Sequence, residues 1–213
     1  FELCTASAIQ ARTQEDNEAS TKGNEVHFEL LRPEAMPPLF RQWFGAREPR
    51  YESAFAWHPR TGRALYLGDR IERSYELPDP DWLAGTDDAC GVSRGVLSVA
   101  DLKTGFRQTS GSLGDPTLAG QLRLNAWNLW QYVADSQSPP RPGQVGYAAW
   151  AQRHPEQARG DAPIPRWRPT RIRLAWFLRP EKGDPLIEDG EIDPDALEGW
   201  AQRLALRAEQ ARS

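Results

Sequence analysis

Apolar and polar side chains alternate with a period of two along several short stretches, and this period predicts β-strands with one buried face. The clearest stretches are 51–57 and 171–178. A turn-forming sequence at 58–63 separates the first of these from an apolar run at 64–67, so 51–76 is predicted to be a hairpin. The other predicted strands are 27–32 and 96–100, with 106–109 as a candidate to pair back onto the latter.

Apolar residues spaced three or four positions apart predict four helices. The predicted helices begin at Pro37-Pro38, Asp115-Pro116, Val145 and Asp193-Pro194. In the second and the fourth, an aspartate stands at the N-cap and a proline in the first turn, where its missing N–H costs nothing. Gly45 is the predicted end of the first helix, and Pro155 interrupts the third.

The mixed order of strands and helices predicts an α+β fold, with a largely antiparallel sheet and three or four flanking helices in a single compact domain. A length of 213 residues fits one domain. Residues 10–25 carry almost no apolar side chains. We therefore expect 1–25 to be a flexible N-terminal arm, anchored by a disulfide, and 26–213 to be the folded domain.

Composition and charge argue against two classes of protein. The formal net charge of −4 argues against a general nucleic-acid-binding protein, which is usually basic. No apolar run approaches the ~20 residues that a membrane-spanning helix needs. Of the 26 basic residues, all but Lys22, Lys103 and Lys182 are arginine. This bias fits a GC-rich genome or the bidentate recognition of anions.

The N-terminal sequence and the two cysteines indicate an oxidising compartment. The chain opens at Phe1 without a methionine, as in a protein whose signal peptide has been removed or in a trimmed chain. Cys4 and Cys90 are an even count in a processed chain, which favours one disulfide over two free thiols. We therefore expect a periplasmic location.

No catalytic or metal-binding motif stands out. Residues 91–95 match the G-x-S-x-G pattern around Ser93, but a polar loop precedes the serine and a strand follows it, the reverse of a nucleophile elbow. The three histidines are far apart in sequence, and the acidic run at 188–195 lacks the spacing of a calcium loop. No cofactor or metal is predicted. A hydrolase using dispersed carboxylates or Ser93 remains the alternative function.

Surface residues offer three candidate interfaces. The first is the Pro-, Asp- and Gly-rich loop predicted at 78–91, and the second is the acidic loop predicted within 181–198. The third is the Arg-rich stretch 166–173, which either contacts nucleic acid or forms a strand whose arginines pair with the acidic run. Trp82 either protrudes from the first loop or folds back onto the core. The candidate residues are Asp79, Asp81, Trp82, Asp87 and Asp88, then Glu188, Asp189 and Glu191, then Trp167 and Arg168.

In construction the chain resembles the small periplasmic immunity proteins of Gram-negative bacteria that neutralise type VI secretion effectors. The features that carry the resemblance are the start at Phe1, the Cys4 and Cys90 pair, the excess of arginine over lysine and the acidic, aromatic segment 78–88. The resemblance implies a protein partner, a cognate toxic effector enzyme of the phospholipase type, whose basic active site an acidic loop would block. Complementary charge of this kind speeds association and adds specificity.

Overall fold

A computed structural model describes residues 35–45, 48–69, 75–104, 115–162, 167–180 and 182–211. The predicted arm 1–25 with Cys4, the predicted strand 27–32 and the candidate strand 106–109 lie outside these ranges. Within them the fold is α+β, as predicted.

Six strands form one sheet in the order β2-β1-β3-β4-β5-β6. The strands are β1 Arg50–Trp57, β2 Ala64–Asp69, β3 Leu83–Ser93, β4 Val96–Thr104, β5 Arg171–Arg179 and β6 Leu186–Ile192. Every neighbouring pair is antiparallel except β4 and β5, which are parallel. The prediction of a largely antiparallel sheet is therefore confirmed.

Five α-helices lie in the described part of the chain: α1 Pro38–Phe44, α2 Gly120–Gln137, α3 Tyr147–Arg153, α4 Pro155–Arg159 and α5 Pro194–Gln210. Asp193 caps α5 by accepting hydrogen bonds from two backbone N–H groups, as predicted. Asp115 caps a short 3₁₀ helix, Pro116–Leu118, and α2 begins only at Gly120. Pro155 divides α3 from α4. None of the helices in these ranges is long and apolar enough to cross a membrane.

Each face of the sheet has its own apolar core. The larger core is packed with α2 and α5 and contains Trp130, Trp127 and Leu197. The smaller core is packed with α1, where the Phe40 ring stacks on Phe177 of β5 at a centroid distance of 4.3 Å. Large rings therefore fill much of both cores, which offsets the modest apolar fraction of the sequence.

Each of the two predicted acidic loops is partly a β-strand in the structure. Residues 83–91 belong to β3, which is paired with β1 on one side and with β4 on the other. Residues 186–192 form β6, at one edge of the sheet. Gly, Asp and Ala have low strand propensity, but cross-strand pairing overrides it. Charged side chains on an edge strand such as β6 also protect it from pairing with other chains.

Strands β3 and β4 pair along only part of their length, and helix α2 contacts the first half of β3 and the neighbouring β1. The register of β3 with β4 begins only at Ala89, so the first half of β3 pairs with β1 alone. Two buried asparagines of α2 donate to carbonyls at this point: Asn125 to Thr86, and Asn128 to both Phe55 and Leu83. The approach is so close that a Cβ on Gly85 would lie 2.1 Å from the Asn125 amide oxygen.

Candidate functional site

The first set of candidate residues is largely buried. Trp82 is 6% exposed, packs edge-on against His58 and donates from its indole N–H to Asp79 at 3.2 Å. Asp87 and Asp88 lie inside β3 and are buried. The expectation of a protruding acidic loop with Trp82 at its tip is therefore wrong, and the alternative in which Trp82 folds back onto the core is correct. Burial of the indole and the strand pairing of β3 account for the difference.

Asp79 and Asp81 remain at the surface, where they meet His58. One ligand-type atom from each of these three residues lies within 4.8 Å of the others, a spacing that a metal ion could use. These residues already take part in other hydrogen bonds or ion pairs. The Thr61 N–H donates to His58 Nδ1 at 3.4 Å, and Arg60 pairs with Asp81. Asp79 accepts from the Asp81 N–H and from the Trp82 indole. This cluster therefore does not fit a metal ion.

Two residues of the second set, Asp189 and Glu191, lie together at the opposite end of the sheet, whereas Glu188, Trp167 and Arg168 are not among the residues that line this site. The β3–β4 turn, the start of β5 and the end of β6 meet here, and the Thr170 N–H donates to the Gly95 carbonyl at 2.9 Å. These segments border a groove of about 640 Å³ beside the end of α1. We call it the sheet-end groove. Its principal side chains are Trp43, Arg94, Arg171, Arg173, Asp189 and Glu191.

Ion pairs between β5 and β6 position most of the charges in the sheet-end groove. Arg171 binds Glu191 through two nitrogens, and Arg173 binds Asp189 at 3.0 Å. Of the two alternatives for the Arg-rich stretch, the structure shows the paired strand. The antiparallel register places Arg173 directly opposite Glu191 and diagonal to Asp189, within reach of long side chains.

Trp43 of α1 hydrogen-bonds to both members of the Arg173–Asp189 ion pair and fixes their positions. Its indole N–H donates to Asp189 Oδ2 at 2.6 Å, and its carbonyl accepts from Arg173 at 2.9 Å. The Arg173 guanidinium also lies over the indole ring, 4.4 Å from its centroid. Partial burial disfavours ionisation of Asp189, but the hydrogen bonds from Trp43 and Arg173 outweigh it and lower its pKa. The hydrogen bonds from Arg171 lower the pKa of Glu191.

The remaining candidates flank the groove or point away from it. Trp167 is 37% exposed, and its backbone N–H donates to the Ser138 hydroxyl. The Arg168 guanidinium lies 4.7 Å from the centroid of the Trp130 ring and 3.5 Å from a Glu198 oxygen. Glu188 is on the opposite face of β6 from Asp189, because side chains alternate along a strand.

Ser93 lines the sheet-end groove, but its surroundings are those of a hairpin. The turn residues Arg94 and Gly95 follow it and lead directly into β4. No histidine is among the described residues that line this groove, and His154 stacks on Trp150 at the junction of α3 and α4. Ser93 is therefore in a strand–turn–strand context, and no histidine of the described residues stands beside it as the base that a serine nucleophile needs.

Sequence reasoning missed Trp43 and Arg94 as groove residues. Trp43 belongs to the predicted apolar stripe of α1, and no local pattern indicates its bond to Asp189, 146 residues away. Arg94 was visible only as part of the G-x-S-x-G match. No protein-family model matches the chain, and no curated protein or solved structure is similar to it.

Proposed function

We propose that the protein is a periplasmic immunity protein that binds and blocks a cognate toxic effector enzyme, that the sheet-end groove is its principal binding surface, and that Trp167 and Arg168, which do not line the groove, make further contacts with the partner. The observation that carries the proposal is the way Trp43 and the two ion pairs hold the charges of the groove in fixed positions. The phospholipase class of the effector rests on the resemblance in construction alone.

A surface of this kind suits protein recognition. Tryptophan and arginine are enriched among the residues that dominate binding energy at protein interfaces. Arg173 and Asp189 lose little further freedom on binding, because they are held before the partner arrives. The half-exposed Trp167 offers a further apolar surface outside the groove.

The same electrostatics disfavour the alternative, a hydrolase with dispersed carboxylates. A general acid needs a pKa raised towards the working pH. In the groove the pKa values of Asp189 and Glu191 are lowered, so both stay ionised. Burial strongly raises the pKa of Asp87, but this carboxyl is sealed inside β3 and does not line the groove.

The proposed periplasmic location goes with the predicted disulfide between Cys4 and Cys90. Cys90 is 1% exposed and belongs to the core on the α2 side, so the disulfide requires residue 4 to reach this core. We expect thiol titration of the denatured, unreduced protein to find no free thiol, and two after reduction. Two free thiols before reduction would remove the disulfide and the compartment argument built on it.

The test of the proposed function is capture of the partner. The full chain is used to purify binding proteins from the periplasm of the producing organism, and the captured protein is identified, purified and assayed for enzymatic activity. We expect one enzyme that binds with defined stoichiometry and loses its activity on mixing. If no enzyme is captured and the chain itself hydrolyses an ester substrate that Ser93→Ala no longer cleaves, the hydrolase alternative is correct.

Trp167→Ala tests the binding surface. Trp82 cannot serve, since it is buried and its removal would damage the fold. Loss of a tryptophan hot spot costs about 2 kcal/mol or more, which is roughly thirtyfold in Kd for the captured enzyme. The measurement is isothermal titration calorimetry. Val145→Ala is the matched control, because Val145 is a fully exposed apolar residue in a connecting turn. Equal affinities for both variants would exclude Trp167 from the interface.

A further inference from the structure

We infer that the sheet-end groove receives an acidic segment of the partner protein and that Arg94 pairs with a carboxylate of that segment. The inference deepens the proposed function and rests on it, since it names the chemistry of the partner surface.

The charges of the groove are unbalanced by one arginine. Three arginines line it, against the two carboxylates of Asp189 and Glu191. Arg171 and Arg173 are paired with those carboxylates. Arg94 is exposed on the β3–β4 turn, and no hydrogen bond or ion pair within the described ranges engages it. The groove therefore presents one unmatched guanidinium at its edge.

The position of Arg94 carries a conformational cost. Arg94 and Gly95 have φ values of 51° and 81°, so both central residues of this tight turn are left-handed. Two-residue hairpin turns of this kind favour Asn-Gly, because the Cβ of most residues crowds the backbone in the left-handed region, whereas Gly has no Cβ and Asn hydrogen-bonds locally. A left-handed L-residue costs roughly 1–2 kcal/mol. An arginine held at such a position, with its side chain at the edge of a groove, indicates that the side chain has a binding role.

An acidic segment fits this groove better than a basic one. The two carboxylates already accept hydrogen bonds from Arg171, Arg173 and Trp43, so a basic side chain would have to displace these donors. A carboxylate, in contrast, meets the free fork of Arg94 and the exposed side of Arg171 without breaking an existing pair. The net charge of −4 disfavours a nucleic-acid occupant.

Arg94→Asn separates binding from folding. Asparagine suits the left-handed turn, so we expect the thermal midpoint to stay unchanged or rise, while the affinity for the captured enzyme falls at least about tenfold. Arg94→Lys keeps the charge but not the bidentate fork, and its affinity should lie between that of the native chain and that of Arg94→Asn. Arg63→Asn is the control, because Arg63 is an exposed arginine beside the β1–β2 turn at the other end of the sheet.

A titration that needs no partner completes the test. The ¹⁵N-labelled full chain is titrated with acetyl-tetraglutamate-amide, with acetyl-tetralysine-amide and with inorganic phosphate. We expect the Arg94 side-chain and Trp43 indole N–H resonances to shift with the glutamate peptide only. In Arg94→Asn, we expect the shift of the Trp43 indole resonance to disappear. Shifts with phosphate but not with the glutamate peptide would show that the groove binds a phosphate group and not an acidic protein segment. No shifts, or unchanged shifts in Arg94→Asn, would refute the inference.

The two proposals fail separately. An enzyme that is captured and inhibited, but binds Arg94→Asn as tightly as the native chain, leaves the proposed function standing and overturns the role of Arg94. Failure to capture any enzyme overturns the proposed function, and the peptide titration still decides whether the groove binds carboxylates.

Discussion

Replacement of Asn128 by alanine is expected to lower the free energy of unfolding by about 3–5 kcal/mol. Asn128 is 0% exposed, and its amide N–H₂ donates to the carbonyls of Phe55 and Leu83, which belong to neighbouring strands. Each polar group left buried without a partner costs about 1–3 kcal/mol. The missing amide also leaves a cavity between α2 and the sheet, which adds to the loss.

Urea unfolding of the two proteins, followed by tryptophan fluorescence, measures this difference. Gln121→Ala on the exposed side of the same helix is the control and should change stability by less than about 0.5 kcal/mol. Asn128→Leu fills a similar volume without donors, so it retains the loss from the unsatisfied carbonyls and removes most of the cavity contribution. If Asn128→Ala costs no more than the control, the hydrogen bonds of Asn128 to β1 and β3 do not stabilise the fold.

The strands with clear alternation and the helices with clear caps were predictable from the sequence. Residues 51–57 and 171–178 appear as β1 and β5, and the Asp193 cap starts α5 at Pro194. These signals are local, because one strand or one helical turn contains all of the residues that define them. The α+β class follows from the order of such elements, and it is confirmed.

The candidate site was only partly predictable, because long-range contacts create it. Asp189 and Glu191 were identified as charged surface residues, but in a loop, since nothing local indicates that β6 pairs with β5. The segment containing Asp87 and Asp88 was interpreted as a loop for the same reason, and its two strand neighbours bury it. Neighbouring strands, and not the segment's own composition, decide whether an acidic residue is exposed.

Asp87 is expected to make the stability of the protein decrease as the pH rises. Its carboxyl is 1% exposed, and within the described residues neither oxygen accepts a hydrogen bond from an N–H or hydroxyl donor. Burial raises the pKa of Asp87 well above its usual range. In the reduced protein the Cys90 thiol opposes this increase, while the charges of Asp88 and Asp101 add to it.

Several charged groups surround Asp87, but burial of its carboxyl sets the direction of the pH effect. The Asp88 carboxylate accepts a hydrogen bond from the Leu102 N–H, and Lys103 Nζ lies 2.6 Å from a carboxylate oxygen of Asp101. Burial raises the pKa of the neighbouring Cys90 thiol, and the charge of Arg50 lowers it by a smaller amount. Because the folded-state pKa of Asp87 exceeds the unfolded-state value, its contribution to stability is complete at acidic pH. That contribution is lost as the pH rises through the folded-state pKa.

Asp87→Asn keeps the shape of the side chain and cannot ionise, so it isolates this effect. We expect the variant to match the native protein near pH 4 and to be more stable by about 3 kcal/mol at pH 8.5, the lower end of the cost of an uncompensated buried charge. Thermal unfolding from pH 4 to pH 8.5 measures the difference. Asp161→Asn, at an exposed surface ion pair, is the control and should give a difference near zero at every pH. A native-minus-variant difference that does not change with pH would show that Asp87 ionises in the folded protein as readily as in the unfolded chain.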